Sequence, residues 1–423
     1  MTDLVVSPTE KLKGTVKAPP SKSYTIRAVI AGLLSDGVSK IRDPLYSLDT
    51  NAAINVSKEH GAKIAKKKWG LEVKGTGGKV RTPKKVLDTL NSGTTIRIAT
   101  GVASLDSQPI TLTGDASIRK RPIGELLDAL RQLGVESSSK NGFPPHTVKG
   151  PLQGGLCRIR GDISSQFISS LIMSAPYAWE DTVIEITTPL RSRPYVDLTL
   201  SVLGRFGVRV VNGGYQRFSI PSGQVYAAAD YTVEGDYSSA AFLLAAAAVT
   251  ESDVTVKNLF SDSKQADKKI VEILQAMGAD IDVGVDYVRV QGGGKLSGVK
   301  ADLSDSPDLL PICAVLGALA SGETVLHNVE HARLKECDRI HAMAVELKKM
   351  GARIEERRDG LVIRDGGLSG GATIDSWDDH RIVMSMAVAA LRAGAATTIK
   401  DKEVAAVTFP NFEEVMRTLG AGF

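Results

Sequence analysis

The sequence predicts a mixed α/β fold built by repetition, and three observations predict it. A glycine closing an amphipathic stretch recurs six times at a near-constant step. A second helix, rich in Ala and Ser, recurs in the same step, and short β-rich runs follow those second helices.

The glycines are Gly61, Gly134, Gly207, Gly278, Gly351 and Gly420, spaced by 73, 73, 71, 73 and 69 residues. They sit in VSKEHGAKI, LRQLGVESS, LGRFGVRVV, LQAMGADID, LKKMGARIE and MRTLGAGF. Random placement of 41 glycines would not keep both that step and that context, so six units account for the length of 423 residues. Apolar positions inside the stretches follow helical spacing, as in Leu126, Leu127, Leu130 and Leu133, or Ile270, Ile273, Leu274 and Met277. Each glycine then falls where a left-handed helix C-cap belongs.

The second helices begin at SKSYTIRAVIAGLL, NSGTTIRIATGVA, SSQFISSLIMSA, DYSSAAFLLAAAAV, DLLPICAVLGALA and DHRIVMSMAVAAL. Marked by Ser23, Thr94, Gln166, Ser238, Asp308 and His380, their starts step by 71, 72, 72, 70 and 72 residues. The runs TVIEITT, DVTVKNL, TVLHNV and TTIKD read as strands. Each unit is thus two helices alternating with short strands. The Ala-rich middles are expected to be buried.

Composition narrows the function. A net charge of +4 over the whole chain is too small for nonspecific nucleic-acid or membrane binding, so any electrostatic role is local. Cys157, Cys313 and Cys337 form no CxxC pair, which argues against a disulfide framework or zinc knuckle and fits a reducing cytoplasm. The longest uncharged run, residues 163–179, carries six Ser or Gln and is too short and polar to span a bilayer. The opening MTDLVVSPTEKLKG has no apolar core of signal-peptide length, so the expected mature chain starts at or near Met1.

A helix N-terminus offers unsatisfied N–H groups and a partial positive charge, which suits phosphate or carboxylate. Here the first turns of the Ala-rich helices are crowded with cations and hydroxyls: Lys22, Ser23 and Arg27; Asn91, Ser92, Gly93, Thr94 and Arg97; Ser164, Ser165 and Gln166; His380 and Arg381. Capping accounts for about half of them. It does not account for Lys22, Arg27, Arg97 or Arg381. The loops GDASIRKRP, PLRSRPY and ARLKECDR add Arg119, Lys120, Arg121, Arg191, Arg193, Lys335 and Arg339. Taken alone, RLKECDR reads as a solvated helix face. Together these residues imply a ligand with several negative charges.

Asp308, Glu336 and His380 are the candidate acid–base groups. There is no GxxxxGK[ST], no GxGxxG opening a helix and no HExxH, so nucleotide, dinucleotide and metalloprotease readings lack support. Asp378, Asp379 and His380 are adjacent at a helix start, where side chains rarely converge on one cation; no metal and no cofactor is expected.

PPSKSYTIRA, LNSGTTIRIATG, TGDASIRKRPIGELLDAL, GDISSQFISSLIMSAP, RSRPYVDLTL, RLKECDRIHAMAVELKKMGA and DDHRIVMSMAVAA, in this order, resemble the 5-enolpyruvylshikimate-3-phosphate synthase family from about residue 7 to the end. The resemblance implies the enolpyruvyl transferase fold, two domains each of three repeated units about a pseudo-threefold axis. Residues 15–234 would form an inserted domain of the first three units. Residues 1–14 with 235–423 would form the other, with the active site in a cleft that closes on substrate. It implies transfer of the enolpyruvyl group of phosphoenolpyruvate to the 5-hydroxyl of shikimate 3-phosphate, on the shikimate pathway to chorismate and the aromatic amino acids, by a cytoplasmic monomer.

Carried over by position, Ser164, Ser165 and Ser192 would hold the shikimate phosphate, Ser23 and Arg27 its carboxylate, Gln166 and Tyr195 its ring, and Asp308 and Lys335 its hydroxyls. Lys22, Arg121, Gln166, Arg339, His380 and Arg381 would grip phosphoenolpyruvate, with Asn91, Gly93 and Thr94 shaping that pocket. Asp308, helped by Lys22, would take the hydroxyl proton, and Glu336 would protonate the methylene carbon. Two positions depart from the family pattern. Val407 stands where many relatives carry lysine, so that cationic contact is missing unless Lys402 substitutes, and His331 stands where relatives often carry Asn.

Two alternatives stay open at this stage. A related transferase acting on UDP-N-acetylglucosamine shares the unit, but commonly opens with a KN pair and carries a reactive cysteine in the loop matching GDASIRKRP; this chain has Lys22-Ser23 and no cysteine there. A noncatalytic scaffold binding an anion such as RNA would interleave aromatics with its cations, and Tyr24 and Tyr195 alone come close.

Overall fold

Buried and amphipathic helices alternate strictly along the chain. The computed structural model describes residues 2–364 and 366–423. Among the described residues there are twelve α-helices: α1 (Lys22–Leu34), α2 (Leu48–Glu59), α3 (Gly93–Ala103), α4 (Gly124–Gln132), α5 (Ser165–Ser174), α6 (Arg193–Arg205), α7 (Tyr237–Val249), α8 (Lys269–Ala276), α9 (Leu310–Leu319), α10 (Arg339–Lys349), α11 (His380–Leu391) and α12 (Phe412–Thr418).

The odd-numbered helices are the Ala-rich ones. All residues of α3 and α11 are buried, the polar ones of their first turns with the apolar middles. Side-chain caps set most of their starts: Ser21, Ser92, Ser164, Asp236 and Asp379 accept from the backbone N–H of Tyr24, Thr95, Gln166, Ser239 and Arg381. In contrast, α9 follows a 3-10 turn, Pro307–Leu309, so Asp308 lies one turn ahead of the helix rather than within it. The even-numbered helices bury one stripe, as α4 does with Leu126, Leu127, Ala129 and Leu130. Just beyond them Gly61, Gly134, Gly207, Gly278, Gly351 and Gly420 have φ of 104°, 84°, 78°, 91°, 91° and 101°. A Cβ is disfavoured in that conformation, which is why glycine recurs there.

The strands repeat one pattern as well. In each of five four-stranded sheets an edge strand runs parallel to the second, and the second, third and fourth are antiparallel. In the third unit the edge strand Gly155–Ile159 precedes its partner Thr182–Ile186. Two sheets borrow their edge from far along the chain. Asp230–Thr232 pairs with Val38–Arg42, and Lys11–Lys17 pairs over seven residues with Glu251–Lys257. Leu4–Val6 also joins the last unit, antiparallel to Thr397–Ile399.

Because backbone donors and acceptors need partners, these pairings assign the N-terminal strands to the last three units. Two compact units result, Met1–Pro19 with Glu234–Phe423, and Pro20–Val233. Each has its own apolar core. One is centred on Ile26, Ile30, Ile98, Phe167 and Ile172, the other on Phe242, Leu244, Val315, Met343 and Met384. No helix of the described residues is long and apolar enough to cross a membrane.

Candidate active site

In the unit of residues 20–233, side chains tie α3 to α5 and tie α1 to α2 and α6. Arg27, 1% exposed, donates from Nε to Thr199 Oγ1 at 2.8 Å, from Nη1 to the Ser23 carbonyl at 3.0 Å and from Nη2 to the Tyr195 carbonyl at 3.2 Å. Three of the five guanidinium N–H groups are thus engaged, two holding α1 against α6 and one returning to the first turn of α1 itself. Burial lowers its pKa to about 10, which leaves it charged at neutral pH. Lys22 Nζ lies 3.0 Å from Asp49 of α2, both largely buried.

Gln166 connects two helices. Its Oε1 accepts from Arg97 Nη1 at 2.6 Å and its Nε2 donates to Thr94 Oγ1 at 2.9 Å. Arg97 also lies over the Phe167 ring at 5.5 Å. Ser164 caps α5, yet its hydroxyl keeps its own proton to donate; Ser165 is the first residue of that helix. Ser192, which precedes α6, is held at φ 55°, ψ 42°. A non-glycine residue persists there only when its surroundings over-determine it, and such residues cluster at functional sites. Asn91 donates to Asp115 at 2.6 Å.

Of the run Arg119-Lys120-Arg121, only Arg121 is buried; its Nη2 donates to Ser117 Oγ at 3.0 Å. A Cβ on Gly93 would lie 2.6 Å from Arg121 Nη1 and 3.1 Å from Arg97 Nη1, so the missing side chain lets two guanidinium groups approach the start of α3. Gly93→Ala should fold normally, because the atom in the way is the end of a flexible side chain. It should weaken binding of a small phosphate-bearing anion at this helix start by about tenfold, the scale of one charged hydrogen bond, in equilibrium dialysis. An unchanged affinity would mean that Arg121 does not need its present position. Arg193, by contrast, is exposed and stacks on Tyr215 at 5.8 Å.

In the other unit, RLKECDR is not a helix face. A 3-10 segment ends at Leu334, and α10 starts only at Arg339, capped by Asp338. Arg333 is spent on Asp338, Glu356 and two carbonyls. Arg339, 1% exposed, is the hub. Its Nη1 donates to Asp308 at 2.7 Å, its Nη2 to Glu336 at 2.6 Å, and its Nε to Asp379 at 2.7 Å. The second oxygen of Asp308 accepts from Arg381 Nη2 at 2.9 Å, and Lys335 Nζ lies 3.4 Å from the first. Burial opposes the charge on Arg339, but Asp379, Glu336 and Asp308 outweigh it and hold the pKa well above its ordinary value. Removing one partner from such a buried cluster costs about 3–5 kcal/mol. His380 is buried at the first position of α11, with Nδ1 3.9 Å from the Asp379 carboxylate.

Behind this cluster lies Asp267, which is fully buried. One oxygen accepts from Ser238, and the other has no hydrogen-bond partner among the described residues. Burial first, and then repulsion from Asp308, raise its pKa to about 6, against the pull of Arg381. The folded state therefore binds this proton more tightly than the unfolded chain does, and stability falls as pH rises from the ordinary aspartate range to about 6. The midpoint of Asp267→Asn minus that of the parent should thus grow more positive between pH 5 and pH 8 by calorimetry; a difference that shrinks would contradict the assignment.

The predicted residues therefore form two groups. Lys22, Ser23, Arg27, Asn91, Gly93, Thr94, Arg121, Ser164, Ser165, Gln166, Ser192 and Tyr195 belong to one unit, and Asp308, Lys335, Glu336, Arg339, His380 and Arg381 to the other. Lys402 is engaged elsewhere, with its Nζ 2.9 Å from Glu413 of α12, so this cation is already committed. His331 and Val407 are both largely buried. Asp49, Asp267, Thr199 and the hub contact of Asp379 were missed. For Asp379 a signal existed, an aspartate at the N-cap position of DDHR; for the others no local pattern announces them.

Acids and cations are thus interlocked at and just ahead of the helix starts. The family model for EPSP synthase (3-phosphoshikimate 1-carboxyvinyltransferase) matches residues 6–416. The 3-phosphoshikimate 1-carboxyvinyltransferase of Methanocaldococcus jannaschii is 49% identical over 424 residues, covering 99% of this chain and 98% of that one. That of Methanothermobacter thermautotrophicus is 49% identical over 421 residues with the same coverage. A solved EPSP synthase structure from Acinetobacter baumannii superposes with a TM-score of 0.84 at 28% identity, covering 99% and 98% of the two chains. On its motifs, its repeated fold and these full-length matches, the chain belongs to the EPSP synthase (3-phosphoshikimate 1-carboxyvinyltransferase) family.

Proposed function

We propose that this enzyme transfers the enolpyruvyl group of phosphoenolpyruvate to the 5-hydroxyl of shikimate 3-phosphate, releasing phosphate, with both residue groups acting on one substrate pair. The observation that carries the site assignment is the Arg339 hub. It pairs one buried cation, Arg339, with two carboxylates whose side chains are partly exposed, Asp308 and Glu336, and Asp308 in turn with a second arginine, Arg381. Those are the parts that a reaction between two anions with two proton transfers requires.

In this proposal Ser164, Ser165 and Ser192 hold the shikimate phosphate, and Ser23 and Arg27 serve its carboxylate. Gln166 and Tyr195 line its ring, and Asp308 and Lys335 its hydroxyls. Lys22, Arg121, Gln166, Arg339, His380 and Arg381 hold phosphoenolpyruvate, in a pocket shaped by Asn91, Gly93 and Thr94. Glu336, which takes up a proton from solvent once phosphoenolpyruvate draws Arg339 away from it, gives that proton to the methylene carbon, which becomes a methyl group. The 5-hydroxyl oxygen bonds to the adjacent carbon while its proton passes to Asp308, assisted by Lys22. From this tetrahedral intermediate the methyl group returns a proton to Glu336, the carbon–phosphate oxygen bond breaks, and phosphate leaves with the proton held by Asp308. Atoms and charge balance without metal or cofactor. The enzyme works as a cytoplasmic monomer.

Closure on substrate belongs to this proposal, so X-ray scattering should show compaction on adding shikimate 3-phosphate; an unchanged radius of gyration would remove closure from the scheme. The function itself is tested by phosphate release. Release should require both phosphoenolpyruvate and shikimate 3-phosphate. Release with UDP-N-acetylglucosamine instead, or none with either acceptor, would overturn it.

A further inference from the structure

The start of α11 carries Asp379, His380 and Arg381, and the backbone leading into it is unusual. Trp377 and Asp378 have φ of 54° and 52°, two consecutive non-glycine residues in the left-handed region. Such a conformation persists only where the surroundings over-determine it. Within the turn Ser376, donating to Asp401 at 2.8 Å, accepts from the Asp378 N–H at its hydroxyl and from the Asp379 N–H at its carbonyl, but these local bonds do not fix where the turn sits against α10.

Glu346 supplies the restraint from α10. It is seven residues beyond Arg339, two helical turns along the same face, and is fully buried. Its Oε1 accepts from the Trp377 indole Nε1 at 2.7 Å, and its Oε2 accepts from the Asp375 backbone N–H at 3.2 Å. Lys349, 2.8 Å from Oε2, balances the buried charge and reaches Asp375 at 3.1 Å. One face of α10 therefore holds the approach to α11 at two points, through Glu346 on residues 375 and 377 and through Arg339 on Asp379.

We propose that Glu346, acting through Trp377 and Asp375, is a positioning residue for phosphoenolpyruvate: it sets the left-handed turn that aims Asp379 at Arg339 and places Arg381 for the substrate. The inference rests on the reading of Arg339 and Arg381 as phosphoenolpyruvate-holding residues. If the turn relaxes, the α11 start shifts relative to α10 and the two arginines no longer present one anion site. Glu346 touches neither substrate in this account, and the shikimate phosphate is held by residues of the other unit.

The test is steady-state kinetics of Glu346→Gln and Trp377→Phe, with Arg381→Lys as the reference. Either tether variant should raise the phosphoenolpyruvate KM about tenfold, the scale of one hydrogen bond to a charged group, while the shikimate 3-phosphate KM stays within about twofold. A merely structural role would lower the melting midpoint and the active fraction without that split. Should Glu346→Gln fail to fold, Trp377→Phe, which keeps an aromatic side chain of smaller size and deletes the indole donor, decides. If Arg381→Lys raises the phosphoenolpyruvate KM and the tether variants do not, or if they raise both KM values together, the tether is wrong. If Arg381→Lys itself leaves that KM unchanged, the substrate reading falls and the tether with it.

Discussion

Asp308→Asn should slow turnover by roughly 10² to 10⁴ fold, the range for loss of a general base, and at the same time tighten binding of phosphoenolpyruvate by about tenfold. The second effect follows from the ligand-free geometry. Asp308 places one oxygen on Arg339 at 2.7 Å and the other on Arg381 at 2.9 Å, with Lys335 3.4 Å away. These are cations assigned to the substrates, so the carboxylate occupies the place an incoming anion needs. On the proposed assignment phosphoenolpyruvate has to displace it, and once its cations are drawn off to the substrate, Asp308 would become the stronger base. Asparagine keeps the shape and removes the competing charge; a charge-assisted hydrogen bond is worth about 1.5–3 kcal/mol, enough for the tenfold change. Equilibrium dialysis with phosphoenolpyruvate alone reads the effect without the shikimate hydroxyl contact. Weaker binding in the variant would show that Asp308 organises the arginines rather than competing for them.

Glu336→Gln should also cost roughly 10² to 10⁴ in turnover, but with substrate binding largely unchanged. Glu336 accepts from Arg339 Nη2 at 2.6 Å, and a glutamine carbonyl can keep that bond. What glutamine lacks is an acidic proton for the methylene carbon. Because the intermediate carries a freely rotating methyl group, return of any of its three hydrogens should place solvent deuterium in the methylene of the product. Mass spectrometry of product formed in heavy water should show that label with the parent enzyme, and its appearance should slow in step with turnover in the variant. Undiminished labelling in Glu336→Gln would assign the proton transfer to another group.

Much of the fold was legible in the primary structure because its causes are local. A left-handed C-cap strongly favours glycine, so six of them at an even step announced six helix ends, and all six have positive φ. A helix apolar on every side can only be buried, so the Ala-rich runs declared their own location. The first turns of those helices were legible for the same reason, since Lys22, Arg27, Arg97 and Arg381 are poor caps and costly to bury without partners. Ser164 shows the limit: the residue expected to hold a phosphate is also the cap of α5, and one hydroxyl can do both because it accepts with a lone pair and donates with its proton.

Other features depend on residues far apart along the chain. Asp49 meets Lys22 across two helices, and Thr199 meets Arg27 across 172 positions. The strand Lys11–Lys17 finds its partner only at Glu251–Lys257. RLKECDR has the composition of an exposed helix, yet tertiary contacts bury Arg339 among Asp308, Glu336 and Asp379, which lie 31, 3 and 40 positions away. Repetition, helix ends and the kinds of side chain at the helix starts were therefore determined by the sequence alone, because propensity and capping act within one or two turns. Which carboxylate answers which cation was decided only in three dimensions, because an ion pair forms according to distance and burial, and neither is a property of neighbouring residues.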